Sequence, residues 1–413
     1  MRVLFITGEF PPMQGGVGDC TNEIAQALSR RGLDVSVLTS VNENAVHESQ
    51  TAPLNILRTL PHWGWSQRSA ILKTIASLQP DIVHIQYQTG AFGQQPLINF
   101  LPRFIPPPGK KNGVGVVVTF HDLLPAYLFP KAGPVRDWVT FQLARGADAV
   151  IATNEADYAR LRAQVRGLGK WLALIPIGSN ITPSAIPPQI TREKLRERLG
   201  VNEDETLLAY FGFLNESKGA ETLIRALYDL PKTKLLFLGG KTGASDATNV
   251  AYLNQVKEAI RARHLEARVI WTDYLPAEAV SAHFYASDIC VLPYRDGASF
   301  RRGSIMAALA HGMPIVTTLP QVSPEPEWKT RAEKMDAARL PKLPVLRDGE
   351  NALLVPPDDA SAIIIAVTRI ATSPGLAAQL SSNARLTARA FSWDKIADDH
   401  AALYEKMQSA IAR

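Results

Sequence analysis

The chain has 413 residues, 46% hydrophobic and 20% charged, the balance of a globular protein with room for two or three cores and not of a disordered one. Lysine and arginine exceed aspartate and glutamate by 44 to 39, too mild and too scattered an excess for a nucleic-acid binder, though it suits anionic small molecules. The two cysteines, Cys20 and Cys290, form no CxxC pair or disulfide framework, which points to a reducing cytoplasm, and no apolar run approaches the length of a membrane span.

The first half alternates strand and helix. RVLFIT is a short buried strand, and CTNEIAQALSRRG has helical spacing with Gly32 as its stop. DVSVLT, DIVHIQY, VGVVVTFHD and DAVIATN follow as strands. Short β-branched runs separated by helical segments predict a parallel sheet covered on both faces. IPIGSNITPSAIPPQIT, with Pro176, Pro183, Pro187 and Pro188, interrupts the rhythm and reads as a hinge. The alternation then resumes with TLLAYFGFL, AETLIRALYDL, KLLFLGG, AYLNQVKEAIRARH, RVIWTDY and DICVLPY. The tail from Phe391 reads as an amphipathic helix with Ser392 as its N-cap, and the stretch from Ser323 as an exposed insertion. The expected architecture is α/β: two doubly wound parallel sheets facing a cleft, with ligands at the carboxyl ends of the strands.

Four places carry candidate chemistry. Gly15, Gly16 and Gly18 lie between the first strand and first helix, where a backbone can approach a phosphate or sugar, although a flexible turn explains them too. His121 and Asp122 follow a strand end, where a histidine can bond a substrate hydroxyl or cap the backbone. Lys218 stands directly before a helix, a poor position for a cation unless an anion lies between it and the helix dipole. Arg301 and Arg302 precede the helix GSIMAALAHG, at Gly303 and Ser304, and repel both the dipole and each other until an anion neutralises them. A solvated pair is the plainer alternative. GGKTG from Gly239 lacks the first glycine of a Walker loop.

These stretches together resemble the retaining glycosyltransferases of family four, which have the GT-B architecture. The resemblance spans nearly the whole chain, through GGVG, FHD, IPIGSN, YFGFLNESKG, LFLGG, ALAHGMPIVTT, DGENALLVPPDD and the closing FSWDKIADDHAALYEKM. It implies an acceptor-side domain over 1–180, a hinge at 181–192, a donor domain over 193–390, and a C-terminal helix over 391–413 that crosses back to the first domain. It implies a nucleotide-sugar donor and a hydroxyl of a glycan, a lipid-linked molecule or a small metabolite as acceptor, with no metal and no cofactor. Retention would come from front-face attack, with the leaving phosphate helping to deprotonate the acceptor. Carried over, Gly15, Gly16 and Gly18 approach the donor phosphates, and His121 lies by the transferred sugar as the catalytic candidate. Lys218 neutralises the diphosphate, joined by Arg301, Arg302, Gly303 and Ser304. Gly239, Gly240 and Tyr274 attend the nucleotide, and Glu9 and Asp122 the acceptor side.

The chain departs from that family at three positions. Phe213 stands where the family has an arginine, and Ser299 and Ala307 stand where it has two glutamates for the sugar and the ribose. The paired arginines are read as replacing the charge lost at Phe213. The lost carboxylates motivate a rival reading, an inactive relative that binds a nucleotide sugar or partners an active transferase. A phosphorylase-like enzyme would need a lysine anchoring pyridoxal, and a dehydrogenase a complete glycine fingerprint. LPHWGWSQRSAILKTI and FLPRFIPPPGKK combine aromatics, leucines and cations, the composition of a peripheral contact with the inner face of a membrane. Core packing accounts for the same residues.

Overall fold

The computed structural model describes all residues except 14, 42–53, 110–112, 124–132, 166–170, 185–190, 241–246, 321–340 and 412–413. Pro187 and Pro188, the GGKTG run beyond Gly240, Lys110 and Lys111, and the expected insertion from Ser323 to Leu340 lie outside the described residues. The chain divides into two compact units, Met1–Ile177 with Trp393–Arg413, and Gly178–Val322 with Pro344–Ser392.

The first unit runs β1 (Arg2–Thr7), α1 (Gly16–Arg30), β2 (Asp34–Ser40), β3 (Asn55–Leu60), α2 (Arg68–Leu78), β4 (Ile82–Tyr87), α3 (Leu97–Phe100), β5 (Gly115–Phe120), α4 (Gly133–Gly146), β6 (Ala149–Ala152), α5 (Glu155–Gln164) and β7 (Leu172–Leu174). The second runs α6 (Arg192–Arg198), β8 (Thr206–Phe211), α7 (Ala220–Tyr228), β9 (Thr233–Leu238), α8 (Ala247–Arg261), β10 (Val269–Trp271), α9 (Ala277–Ala286), β11 (Ile289–Leu292), α10 (Gly303–Ala310), β12 (Ile315–Thr318), β13 (Leu353–Val355), α11 (Ala360–Ala371) and α12 (Pro374–Arg389). The last helix, α13 (Trp393–Ile411), belongs to the first unit.

Each unit is built on one parallel sheet, with order β3-β2-β1-β4-β5-β6-β7 in the first and β10-β9-β8-β11-β12-β13 in the second. The order reverses beside β1 and beside β8, so each sheet has a switch point where the loops at the carboxyl ends part. The central strands β4 and β5 are buried along their whole length, which is why they read as mainly apolar runs, broken by His84, Gln86 and Thr119. Two doubly wound sheets and a returning C-terminal helix are thus present as the sequence leads one to expect.

The returning helix is held by the same apolar logic. Trp393, Ile396, Tyr404 and Met407 of α13 bury into one cluster with Phe5 of β1 and Ile24 and Leu28 of α1. Arg31 adds surface bridges to Asp394 at 3.2 Å and Asp398 at 2.6 Å, which contribute little beside that burial. Several elements escape the sequence reading, among them helices α4, α5, α6, α11 and α12. β3 is an edge strand with five of its six residues at least partly exposed and only Leu60 buried, β7 has only three residues, and α2 occupies the stretch read as interfacial.

Candidate functional site

The β1–α1 loop of the first unit carries an anion of its own. Thr7 donates its hydroxyl to the Glu9 carbonyl at 2.8 Å, and the loop turns the Glu9 side chain back onto the start of α1. Its Oε1 accepts from the amides of Val17 at 3.0 Å and Gly18 at 3.3 Å. Those are amides that a helix start leaves without intrahelical partners, so the carboxylate caps the helix. Gly15 allows this approach, because a Cβ there would lie 2.2 Å from the Glu9 carboxyl carbon. Burial pushes the Glu9 carboxyl above its ordinary range, while the two amides oppose that shift. Of the three glycines expected to meet phosphate, Gly16 is exposed, whereas the Gly18 amide is spent on Glu9.

His121 follows β5, half-buried, with its backbone amide on the Tyr87 carbonyl at 3.0 Å. Its Nε2 lies 2.6 Å from Gln86 Oε1. Burial, reinforced by His400, holds its pKa down to about 4, so the ring is neutral at pH 7. Asp122 is half-buried beside it.

In the second unit three elements bring cations together. β8 ends at Phe211, and Gly212, with φ +110, turns the chain into the loop before α7. Asn215 caps the short turn that follows and sets Lys218, whose Nζ donates to the Phe213 carbonyl at 2.8 Å. Arg302, at the N-cap of α10, lays its guanidinium 4.2 Å from the centre of the Tyr294 ring and pairs with Asp296. Burial and then Arg302 push Lys218 down to about 8. The Tyr294 hydroxyl meets Ser304 Oγ at 2.6 Å, on the first turn of α10. Tyr210 is buried nearby, and no described residue hydrogen-bonds its hydroxyl.

Lys218, Arg302, Gly303 and Ser304 therefore gather at one helix start, and among the described residues no carboxylate bridges to Lys218. Arg301 turns elsewhere, its Nε 3.4 Å from Ser299 Oγ. The α7 start is occupied otherwise, since the Glu221 amide donates to the Tyr252 hydroxyl at 3.4 Å. Such a cluster can bind a doubly charged phosphate group and stabilise one that departs.

The nucleotide-side candidates lie on neighbouring loops of the same sheet. The Gly239 amide donates to Thr272 Oγ1 at 3.0 Å, and Gly239 pairs with Asp273. Phe213 packs its ring against Gly240, where a Cβ would fall 2.7 Å from the ring. Tyr274 is exposed. Ala307 is wholly buried and offers no polar group, and Ser299 is half-buried. Among the described residues no group of three or more His, Cys, Asp or Glu could hold a metal ion, and no single helix is long and apolar enough to cross a membrane. Trp65 packs on Phe100 at 5.9 Å and Phe104 at 6.3 Å, Arg68 covers Phe104 at 4.8 Å, and Trp65 and Trp138 are about half exposed.

Known proteins match both units. The glycosyl transferase 4-like domain family matches residues 15–176, and glycosyl transferases group 1 matches residues 205–373. The chain is 25% identical to the putative glycosyltransferase EpsD of Bacillus subtilis, over 80% of this chain and 78% of that one. It is 26% identical to a D-inositol 3-phosphate glycosyltransferase of Corynebacterium efficiens, over 99% and 96%. Among solved structures it is similar to sucrose-phosphate synthase from Thermosynechococcus elongatus, at TM-score 0.72 and 22% identity over 99% and 100%. It is also similar to Anabaena HepE in complex with UDP-glucose, at TM-score 0.71 and 20% identity over 99% and 100%. These structural likenesses carry the fold.

Proposed function

The chain belongs to the glycosyltransferases that join a 4-like domain to a group 1 domain in the GT-B fold, and from that premise we propose that it is an active, retaining transferase. It moves a sugar from a nucleotide-sugar donor to an acceptor hydroxyl, without metal or cofactor. The observation that carries this is the meeting of Lys218 and Arg302 at the start of α10, two cations 84 residues apart in sequence (302 − 218); Asp296 pairs with Arg302, and among the described residues no carboxylate bridges to Lys218. A departing diphosphate supplies the missing negative charge, and bidentate guanidinium contact suits its oxygens. Each charge-assisted contact is worth about 1.5–3 kcal/mol.

The roles proposed for the site residues extend those that the resemblance implies. The diphosphate sits on the Gly303 and Ser304 amides with Lys218 and Arg302, and the nucleotide extends toward Gly239, Gly240 and Tyr274. Neutral His121 takes a hydrogen bond from a sugar hydroxyl, with Asp122 and Glu9 toward the acceptor. HepE was solved with UDP-glucose, which puts uridine diphosphate sugars first in the donor panel. The inositol phosphate relatives put phosphorylated polyols among the acceptors to try. Peripheral membrane contact rests on the Trp65, Arg68 and Phe104 face, and failure to sediment with anionic liposomes at low salt removes it.

The test is thermal unfolding of the wild type and Arg302→Ala with nucleoside diphosphates and their sugars, followed by assay of released nucleotide. Stabilisation by one base, lost with Arg302 and kept in Arg301→Ala, is the expected result; equal stabilisation in both variants removes Arg302 from the site. Ser299 and Ala307, in place of two carboxylates, favour a second reading, a relative that binds the donor without turning it over. Binding without nucleotide release under every acceptor condition selects it.

A further inference from the structure

Behind His121 lies a line of buried polar groups. The alternation of β4 sends Val83, Ile85 and Tyr87 into one core cluster and His84 and Gln86 to the opposite face. Parallel pairing puts Thr119 of β5 beside Gln86, and α13 brings His400 and Tyr404 against His84, with ring centres 5.5 and 5.8 Å away. None of these five residues is more than 5% exposed. Polar groups this deep persist when their hydrogens are shared in one consistent direction.

The distances fix that direction. His84 Nε2 lies 2.7 Å from Thr119 Oγ1 and 3.3 Å from Gln86 Nε2, two groups that can both donate to it. It therefore accepts, and the ring hydrogen sits on His84 Nδ1, 2.6 Å from the Tyr404 hydroxyl oxygen. With its amide nitrogen given to His84, Gln86 presents Oε1 to His121 Nε2 at 2.6 Å, and a carbonyl oxygen can only accept. The hydrogen of His121 is then on Nε2, and Nδ1 keeps its lone pair. Burial drives His84 well below its ordinary range and holds His400 near 4, so the line carries no charge at pH 7.

We propose that Gln86 is a positioning residue: held by His84, which Thr119 contacts in turn, it holds His121 in the Nε2–H tautomer and leaves Nδ1 to accept a hydrogen bond from a substrate hydroxyl. His121 then orients the sugar and does not deliver a proton. The hydroxyl rests on the transferase reading above, whereas the tautomer is a property of the ligand-free chain.

Long-range proton–nitrogen spectra of the full chain, labelled at histidine, read the tautomer directly, with His121 identified by its loss in His121→Gln. The expected wild-type spectrum shows neutral His121 protonated at Nε2; protonation at Nδ1 overturns the proposal without any variant at Gln86. In Gln86→Leu, similar in size but without either contact, His121 should lose its single tautomer. Turnover should fall on the order of tenfold, the loss of one buried hydrogen bond, with donor KM unchanged. Gln86→Glu loses the amide hydrogen given to His84 and sets a carboxylate against Nε2, so it should raise the His121 pKa from about 4. An unchanged His121 spectrum in a folded Gln86→Leu overturns the proposal. If the wild type releases no nucleotide from any donor, the transferase reading fails while the spectrum still decides the tautomer.

Discussion

The starts of α1 and α10 are the same structural device dressed in opposite charge. Each follows a strand of a parallel sheet, each begins at glycine, and each offers unpaired amides at the positive end of a dipole. At α1 the chain supplies the anion, through Glu9 on Val17 and Gly18. At α10 it supplies Arg302 and, from another loop, Lys218. A self-capped helix start is stable as it stands. One that gathers cations is suited to an anion from outside the chain, although Asp296 already pairs with Arg302. Glycine and helix position do not tell the two apart; the side chain that returns to the amides does.

Titration of Lys218 breaks the comparison most strongly. Its pKa is lowered from 10.5 to about 8 by burial and by Arg302, so the free fold disfavours the charged form. The unfolded chain then holds this proton more tightly, and the stability of the ligand-free protein gains from Lys218 as pH rises from about 8 toward 10.5. Diphosphate affinity should run the opposite way and fall as pH rises through about 8, because the ammonium that meets the phosphate is lost. Loss of that charge should cost roughly tenfold to a hundredfold in affinity. Lys218→Met should bind at the weakened level throughout and lack both dependences. Calorimetric titration of a nucleoside diphosphate across that window checks it; an affinity flat with pH in the wild type removes Lys218 from contact with phosphate.

The two regions also differ in how far the sequence announces them. The sheets were legible because β1, β4, β5, β8 and β9 are short apolar runs set between helices, and burial on both faces leaves little other choice. β3 was not, because an exposed edge such as Asn55–Leu60 carries a weak pattern. Lys218 and Arg302 stood out as cations where a helix dipole repels them, and that conflict is visible without coordinates. Which arginine turns to Lys218 was not visible, since it depends on Tyr294 and Asp296 folding under Arg302. Glu9 hid for the same reason, as its contact with Gly18 depends on the backbone path of the loop. The polar line behind His121 did leave a trace, since DIVHIQY sets histidine and glutamine two apart in an otherwise apolar strand. Only the returning α13, 320 residues away at Tyr404, shows what that spacing is for.

Glu9→Gln sharpens the comparison with the smallest expected effect. The glutamine keeps an oxygen in place of Oε1, so Val17 and Gly18 retain an acceptor and stability should change by no more than about 1 kcal/mol. What disappears is the charge. Without it the start of α1 resembles that of α10 before its cations are added, a set of amides with no anion of its own. Weak binding of inorganic phosphate should then emerge there, seen as shifts of the Val17 and Gly18 amide resonances that the wild type lacks at equal phosphate. If those amides already shift in the wild type, Glu9 yields to phosphate, and the glycines of this loop meet the donor directly. If they shift in neither protein, the carboxylate is a cap and nothing more, and the helix start alone is too weak to hold an anion. Only the second of these results would locate the difference between the two helices in the cations at α10 and not in the carboxylate at α1.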